Sequence, residues 1–306
     1  MSSPLLVTGL PRSGTTFVGT VLSAPDTVFN IGEPFLHRVG TDHHYPYYRT
    51  ENPAGQPYDR LLTSIFEYEK LLQYRIKTFE PSLRGVRRYL FGSGRTLEYV
   101  QGWWTTRVLG REGRLLVKEP HALMLTLPAV QRLDCKVLVL VRHPGGQVSS
   151  KLSLDWTDRR DRPESLLDQP ALIEDHLDWL PARLRTTDRS TVEDLGLMWR
   201  AQHAVLHDFL DEIGEEDNLR VVRHEDVCVA PFEVFSDLYD WAGLSWSQDV
   251  KSAVADLTSE DNPAERSDGK TPHQYRHRRD SSSIVDVWKE RLTREQIHRL
   301  REVTQP

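Results

Sequence analysis

Short apolar runs alternate with longer amphipathic stretches along this chain, and that alternation is the first clue to its fold. Leu5-Leu6-Val7-Thr8 is apolar and stops at Gly9, the pattern of a buried strand. Residues 15–22 then read as a helix, and 28–31 as a second strand leading into Gly32-Glu33-Pro34. Helices are expected over 60–80 and 99–112. Leu115-Leu116-Val117 forms the next strand and runs into Lys118-Glu119-Pro120-His121, with a helix expected over 122–133 in spite of Pro128. The strongest strand signal is 136–141, closed by Arg142-His143-Pro144, with a helix following from Gly145 or Gly146 to Leu154. Further on, 192–213 is helical and 219–223 is a strand. Over 231–242, Pro231 suits a first helical turn, Phe232, Phe235, Leu238, Tyr239 and Ala242 recur at helical spacing, and Gly243 ends the run. Residues 286–292 and 294–303 suggest a helical tail. The remaining stretches lack such patterning: 40–60 reads as irregular, 157–190 as a charged surface insertion, and 256–283 as polar chain.

Strands separated by helical segments imply an α/β fold, a mainly parallel β-sheet flanked by helices in three layers. No repeat or long linker divides the chain, so one domain over 1–306 is expected, with insertions near 40–110 and 153–190. In such sheets ligands sit beyond the carboxyl ends of the strands. Three strands lead there into Arg12, Lys118 and Arg142.

Charge and cysteine content narrow the class. Lysine plus arginine number 39 against 45 acidic residues, a net charge of −6. This balance argues against broad nucleic-acid binding while permitting a local basic pocket. Cys135 and Cys228 are too few for a disulfide scaffold and lack metal-site spacing. The apolar stretch near the N-terminus is too short for a signal peptide or membrane span, so a cytoplasmic enzyme is expected. A homodimer is compatible with everything above.

Behind the first strand lies Gly9-Leu10-Pro11-Arg12-Ser13-Gly14-Thr15-Thr16, with the glycine spacing of a phosphate loop. Glycines let successive N–H groups turn toward an anion, and the helix opening at Thr15 adds its N-terminal donors. Thr15 stands where such loops usually carry lysine, and Arg12 can supply the missing charge. A metal-dependent nucleotidase usually ends a strand in a carboxylate that holds magnesium. Here two strands end in Lys118 and Arg142, cations that neutralise phosphates without a metal.

At this point the chain resembles the sulfotransferase family that uses 3′-phosphoadenosine 5′-phosphosulfate (PAPS), with flavour closest to its bacterial and carbohydrate-type members. Pro11-Arg12-Ser13-Gly14-Thr15-Thr16 is similar to the family's 5′-phosphosulfate loop. Val139-Leu140-Val141-Arg142-His143-Pro144, with Ser149-Ser150, is similar to its 3′-phosphate motif, in which a serine follows the arginine by eight residues. The resemblance gives Arg142 and Ser150 the 3′-phosphate, and implies a sulfuryl transfer without metal that leaves 3′,5′-adenosine bisphosphate. It also makes Glu33, in Gly32-Glu33-Pro34, the first choice for general base, with His121 as rival. Arg276, Arg278 and Arg279, ahead of Ser281-Ser282-Ser283 and Trp288, resemble a C-terminal donor-binding segment. Arg278 and Arg279 are therefore taken as donor contacts.

The chemistry asks for cations and backbone donors where negative charge gathers on the leaving phosphate. Arg12, Lys118 and the N–H groups around Gly14 to Thr16 suit that need, and a base near the acceptor removes its proton. Salt-bridging of Glu33 to Arg12 or Lys118, and a structural role for His121, are the bland alternatives. Trp199, Tyr239 and Trp288 are candidates for adenine stacking, although Tyr239 also belongs to its helix's apolar stripe. His224-Glu225-Asp226 reads as structural. The acceptor, a carbohydrate or another small molecule, is expected to meet His37, the 43–48 aromatics, Trp103-Trp104 and the 153–180 segment. A phenolic or lipid acceptor, an atypical kinase and an idle nucleotide binder are the competing readings.

Overall fold

A computed structural model of the chain describes residues 2–35, 58–69, 94–156, 162–185, 188–259 and 280–305. Five parallel strands form one sheet in the order β2-β3-β1-β4-β5. They are β1 (Leu5–Gly9), β2 (Val28–Gly32), β3 (Arg114–Lys118), β4 (Lys136–Val141) and β5 (Leu219–Arg223). β1 to β4 were legible as apolar runs, because strands covered on both faces need no polar alternation, whereas β5 lies at the sheet edge with Arg220, Val221 and Arg223 exposed.

Alternate residues of these strands feed two cores. Leu6, Ile31, Val117, Val137 and Val139 pack on one side with α2 (Tyr58–Phe66), α3 (Gly94–Trp103), α4 (Thr126–Arg132) and α8 (Thr191–Ile213). Leu5, Val7, Leu116, Leu138 and Leu140 pack on the other with α1 (Thr15–Leu22), α10 (Pro231–Ala242) and α11 (Gln248–Thr258). Successive strand residues point to opposite faces, so Val, Ile and Leu of alternate register build one core on each side of the sheet. A smaller cluster joins α5 (Pro144–Leu152), the start of α8 and α13 (Arg294–Thr304) through Val148, Val192, Leu195 and Leu300.

Several expectations are corrected. The helix expected over 122–133 is a 3-10 turn, Pro120–Leu125, followed by α4. A continuous helix would put the Pro128 ring against the carbonyl of Met124, whereas a restart at Thr126 brings Pro128 into a first turn, where no N–H is missed. The helix expected over 99–112 starts earlier as α3 and ends in a π-helical turn, Trp104–Val108. Residues 157–190 are more than a surface insertion. They carry a 3-10 turn (Pro163–Asp168), α6 (Pro170–His176) and α7 (Leu180–Arg183), and they send Leu166, Leu172, Leu177 and Leu180 into the first core. Two further helices went unread: α9 (His224–Val229) and α11, which is capped by the Ser247 hydroxyl on the Val250 N–H. The tail helix over 286–292 shrinks to α12 (Trp288–Arg291). Residues 70–80, the irregular 40–57 and most of the polar 256–283 stretch fall outside the described residues.

One partly buried imidazole links the fold to pH. His203, on α8, stacks on Trp199 with ring centres 4.0 Å apart and bonds its carbonyl at 2.8 Å. Burial pushes its pKa from 6.5 down to about 4. His143, before α5, moves the same way for the same reason. A depressed imidazole pKa favours folding fully above the unfolded value, and that support is lost as pH falls from 6.5 toward about 4. The melting temperature is therefore expected to drop on acidification through this window. His203→Gln should flatten the drop in a thermal melt series; an unchanged slope would assign the acid sensitivity elsewhere.

Candidate active site

The glycine loop owes its shape to close approaches that only glycine tolerates. A Cβ on Gly9, at φ 145°, would lie 2.3 Å from the Leu140 carbonyl oxygen of β4. A Cβ on Gly14, at φ 96°, would lie 2.5 Å from the Nδ1 of buried His224. Arg12 between them also takes a left-handed conformation, φ 77°, and so does Glu33, φ 54°. Such backbones cost L-residues about 1–2 kcal/mol each and persist where neighbours hold them. Both strained residues are candidates from the sequence, and both stand on the same rim.

Gly14 is the N-cap of α1 and offers no side-chain cap. The first N–H groups of that helix therefore point out of its end without an intrahelical acceptor, a ready anion site. Thr15 and Ser13 are buried, and the Ser13 hydroxyl has no hydrogen-bond partner among the described residues.

The loop and the β4 motif are joined directly. Arg12 Nε donates to the Ser150 hydroxyl at 3.0 Å, and Arg142 Nη1 donates to the Arg12 carbonyl at 2.8 Å. Gln147 Nε2 donates to the Pro11 carbonyl at 3.0 Å. Gln147 and Ser150 are three apart on α5, so one helix face meets the loop. Trp156 carries the Arg12 guanidinium over its ring at 5.4 Å. Arg12, Arg142 and Ser150 are thus brought into one hydrogen-bonded cluster, anchored by the glycines.

A second cluster forms at the ends of β2 and β3. Lys118, buried at the end of β3, makes a close ion pair with Glu33. The Glu33 N–H donates to the Lys118 carbonyl at 2.6 Å, which continues the β2–β3 ladder past its last strand residue. Beside them, Glu119 is fully buried and bonds His121. The two clusters are tied through β1. Glu119 N–H donates to the Val7 carbonyl at 2.9 Å, and the Thr8 hydroxyl donates to the Glu119 carbonyl at 2.9 Å.

The adenine-stacking candidates are each held by neighbouring groups. Tyr239 is fully buried and donates to the Val21 carbonyl at 2.6 Å. Trp199 donates to the Arg142 carbonyl at 3.0 Å, so it steadies that strand end. Trp288 stacks on His143, with ring centres 4.6 Å apart, at the start of α5. Arg278, Arg279, Arg276, His37 and the 43–48 aromatics lie outside the described residues. A cavity of about 360 Å³, lined by Ser3, Tyr68, Arg107 and Arg132 among others, opens at the amino ends of the strands, away from this rim.

Residues 4–248 match the family model described as Sulfotransferase family. The chain belongs to the sulfotransferase family. As such it is an enzyme of PAPS-dependent sulfuryl transfer. The sulfotransferase is similar in structure to the sulfotransferase domain from the curacin biosynthetic pathway, with a TM-score of 0.50 and 16% identity over 100% of this chain and 99% of that one. The sulfotransferase domain from the Synechococcus PCC 7002 olefin synthase gives a TM-score of 0.49 and 15% identity over 100% and 97%. At these identities likeness speaks to the fold alone. No curated protein sequence matches the chain. Among the described residues no helix is long and apolar enough to cross a membrane.

Sequence reasoning missed Gln147, Trp156 and Glu119, and read His224 as structural. Gln147 was within reach, since it shares a helix face with Ser150; the enclosure of Glu119 and the packing of His224 on Gly14 emerge only from the tertiary structure. Gly14→Ala meets both a left-handed backbone and His224. The strain of about 1–2 kcal/mol is expected to weaken 3′,5′-adenosine bisphosphate binding by about tenfold, measured by calorimetry. Unchanged affinity would show that this packing does not shape the loop.

Proposed function

We propose that the sulfotransferase transfers the sulfuryl group in line, without metal, to a hydroxyl of a carbohydrate or another small-molecule acceptor. The observation that carries this reading is the bonding of Arg12 to Ser150 and of Arg142 to the Arg12 carbonyl. One loop and one helix thereby present cations and donors to two separate phosphates of the same donor. Arg142 and Ser150 hold the 3′-phosphate, and charge-assisted contacts of this kind suit a terminal phosphate dianion. Pro11, Ser13, Gly14, Thr15 and Thr16 line the 5′ side, with the open N–H groups of α1 and the Arg12 guanidinium facing it. Arg278 and Arg279 complete the donor site. On this reading 1–306 forms one catalytic domain in the cytoplasm, and segments near 40–110 and 153–190 shape the acceptor pocket.

When bound, the donor supplies an activated sulfuryl group on a phosphate leaving group. Arg12, Lys118 and the α1 N–H groups stabilise charge on that phosphate as the bond breaks. Preorganised donors of this sort lower a barrier because they need no reorganisation during the step. The acceptor's proton leaves toward the β2–β3 ends, where Glu33 and His121 stand. Glu33 holds Lys118 in its ion pair, which leaves the imidazole as the stronger candidate for proton acceptor.

The test is transfer of labelled sulfur from PAPS to a panel of sugars, phenols and alcohols in the presence of a chelator. Transfer unaffected by the chelator is expected, whereas ATP- and magnesium-dependent phosphorylation would overturn the reading. Lys118→Met should lower kcat by about 100-fold, with a smaller change in donor KM. Glu33→Gln should keep most of the parent activity if Glu33 serves Lys118, and a loss as large as that of Lys118→Met would make Glu33 the base.

A further inference from the structure

Glu119 is an unusual group to bury. Its side chain is fully enclosed, yet it caps a 3-10 turn, a task that a shorter, less costly side chain performs as well. Oε2 accepts the Phe35 N–H at 2.6 Å, and Oε1 accepts the His121 N–H at 3.0 Å and lies 2.9 Å from His121 Nδ1. Among the described residues no lysine or arginine pairs with it; Lys118, its chain neighbour, is engaged with Glu33. A buried carboxylate without a counter-ion costs several kcal/mol. Among the described residues, the group against it that can become a cation is the His121 ring.

We propose that Glu119 is a positioning residue that holds His121 as the Nδ1–H tautomer and receives the positive charge that the ring acquires in catalysis. This rests on the sulfuryl-transfer reading above. An ionised carboxylate only accepts hydrogen bonds, so the shared proton belongs to Nδ1 and the lone pair of the neutral ring to Nε2. As the acceptor oxygen forms its bond to sulfur, its O–H bond breaks and the proton passes to Nε2. The S–O electron pair leaves with the phosphate. The resulting imidazolium faces the Glu119 carboxylate across 2.9 Å, an ion pair assembled before the reaction begins. The same carboxylate fixes the Phe35 N–H, two residues beyond Glu33, and so also sets where the Glu33–Lys118 pair sits.

The first test needs no substitution. Long-range nitrogen–proton NMR of the full chain near neutral pH should show the neutral His121 ring protonated on Nδ1; an Nε2–H ring would overturn the proposal. The second is a double-mutant cycle of Glu119→Gln and His121→Ala in the labelled-sulfur assay. His121→Ala is expected to cost about 100-fold in kcat, and Glu119→Gln about tenfold, with donor KM little changed. The double variant should be no slower than His121→Ala alone, because Glu119 acts through the ring; additive losses would make Glu119 a structural cap and overturn the proposal. The two readings fail separately. Absence of any sulfuryl transfer by the parent enzyme contradicts the function, while the NMR tautomer still decides the Glu119–His121 pair.

Discussion

Everything at the carboxyl rim depends on β1 lying between β3 and β4. The chain leaves β1 through the glycine loop, returns at the far edge as β2, steps in to β3 and then crosses β1 to reach β4. This places the loop where neighbouring connections diverge, the usual ligand position in an open parallel sheet. Parallel register does the rest: Val7 pairs with Lys118 on one side and Gly9 with Leu140 on the other. Lys118 and Arg142 therefore flank the loop, although they lie more than a hundred residues beyond it in the chain.

The same constraint explains the glycines and the strain. With β4 hard against β1, position 9 has no room for a side chain, and Gly14 has none because His224 from the end of β5 fills the space. Arg12 and Glu33 are held in left-handed conformations by bonds from neighbouring strand ends, so the strained residues are also the ones presented at the rim. Buried cations are costly unless their charges find partners. Here Lys118 is matched by Glu33, and among the described residues Arg12 bonds the Ser150 hydroxyl while Arg142 bonds the Arg12 carbonyl. Glu119 sets the opposite charge a short distance away, beside the imidazole.

Much of this was legible in the sequence, for a physical reason. Strands buried on both faces are continuous apolar runs, and a phosphate loop needs glycine at fixed offsets, so both leave local marks. Arg142 and Ser150 were legible through the resemblance of their motif to the family's 3′-phosphate motif. The restart of the 122–133 helix at Thr126, which Pro128 imposes, went unread, and the core role of 163–180 was not legible, since tertiary packing decides it. Leu166, Leu172, Leu177 and Leu180 are spaced through a charged, proline-rich stretch without a clean period, yet all four are fully buried. Glu119 escaped notice because a carboxylate beside Lys118 looks like an ordinary surface charge. Only its enclosure, and the distance to His121, show otherwise.

The central claim is that the loop and the β4–α5 motif form one site that reads two phosphates at once. Calorimetry comparing 3′,5′-adenosine bisphosphate with adenosine 5′-monophosphate, on the parent enzyme and on Ser150→Ala, tests it most directly. Charge-assisted bonds to the 3′-phosphate should make the bisphosphate bind about 100-fold more tightly, and Ser150→Ala should cut that advantage by about tenfold. Equal affinity of the parent enzyme for the two nucleotides would contradict the account.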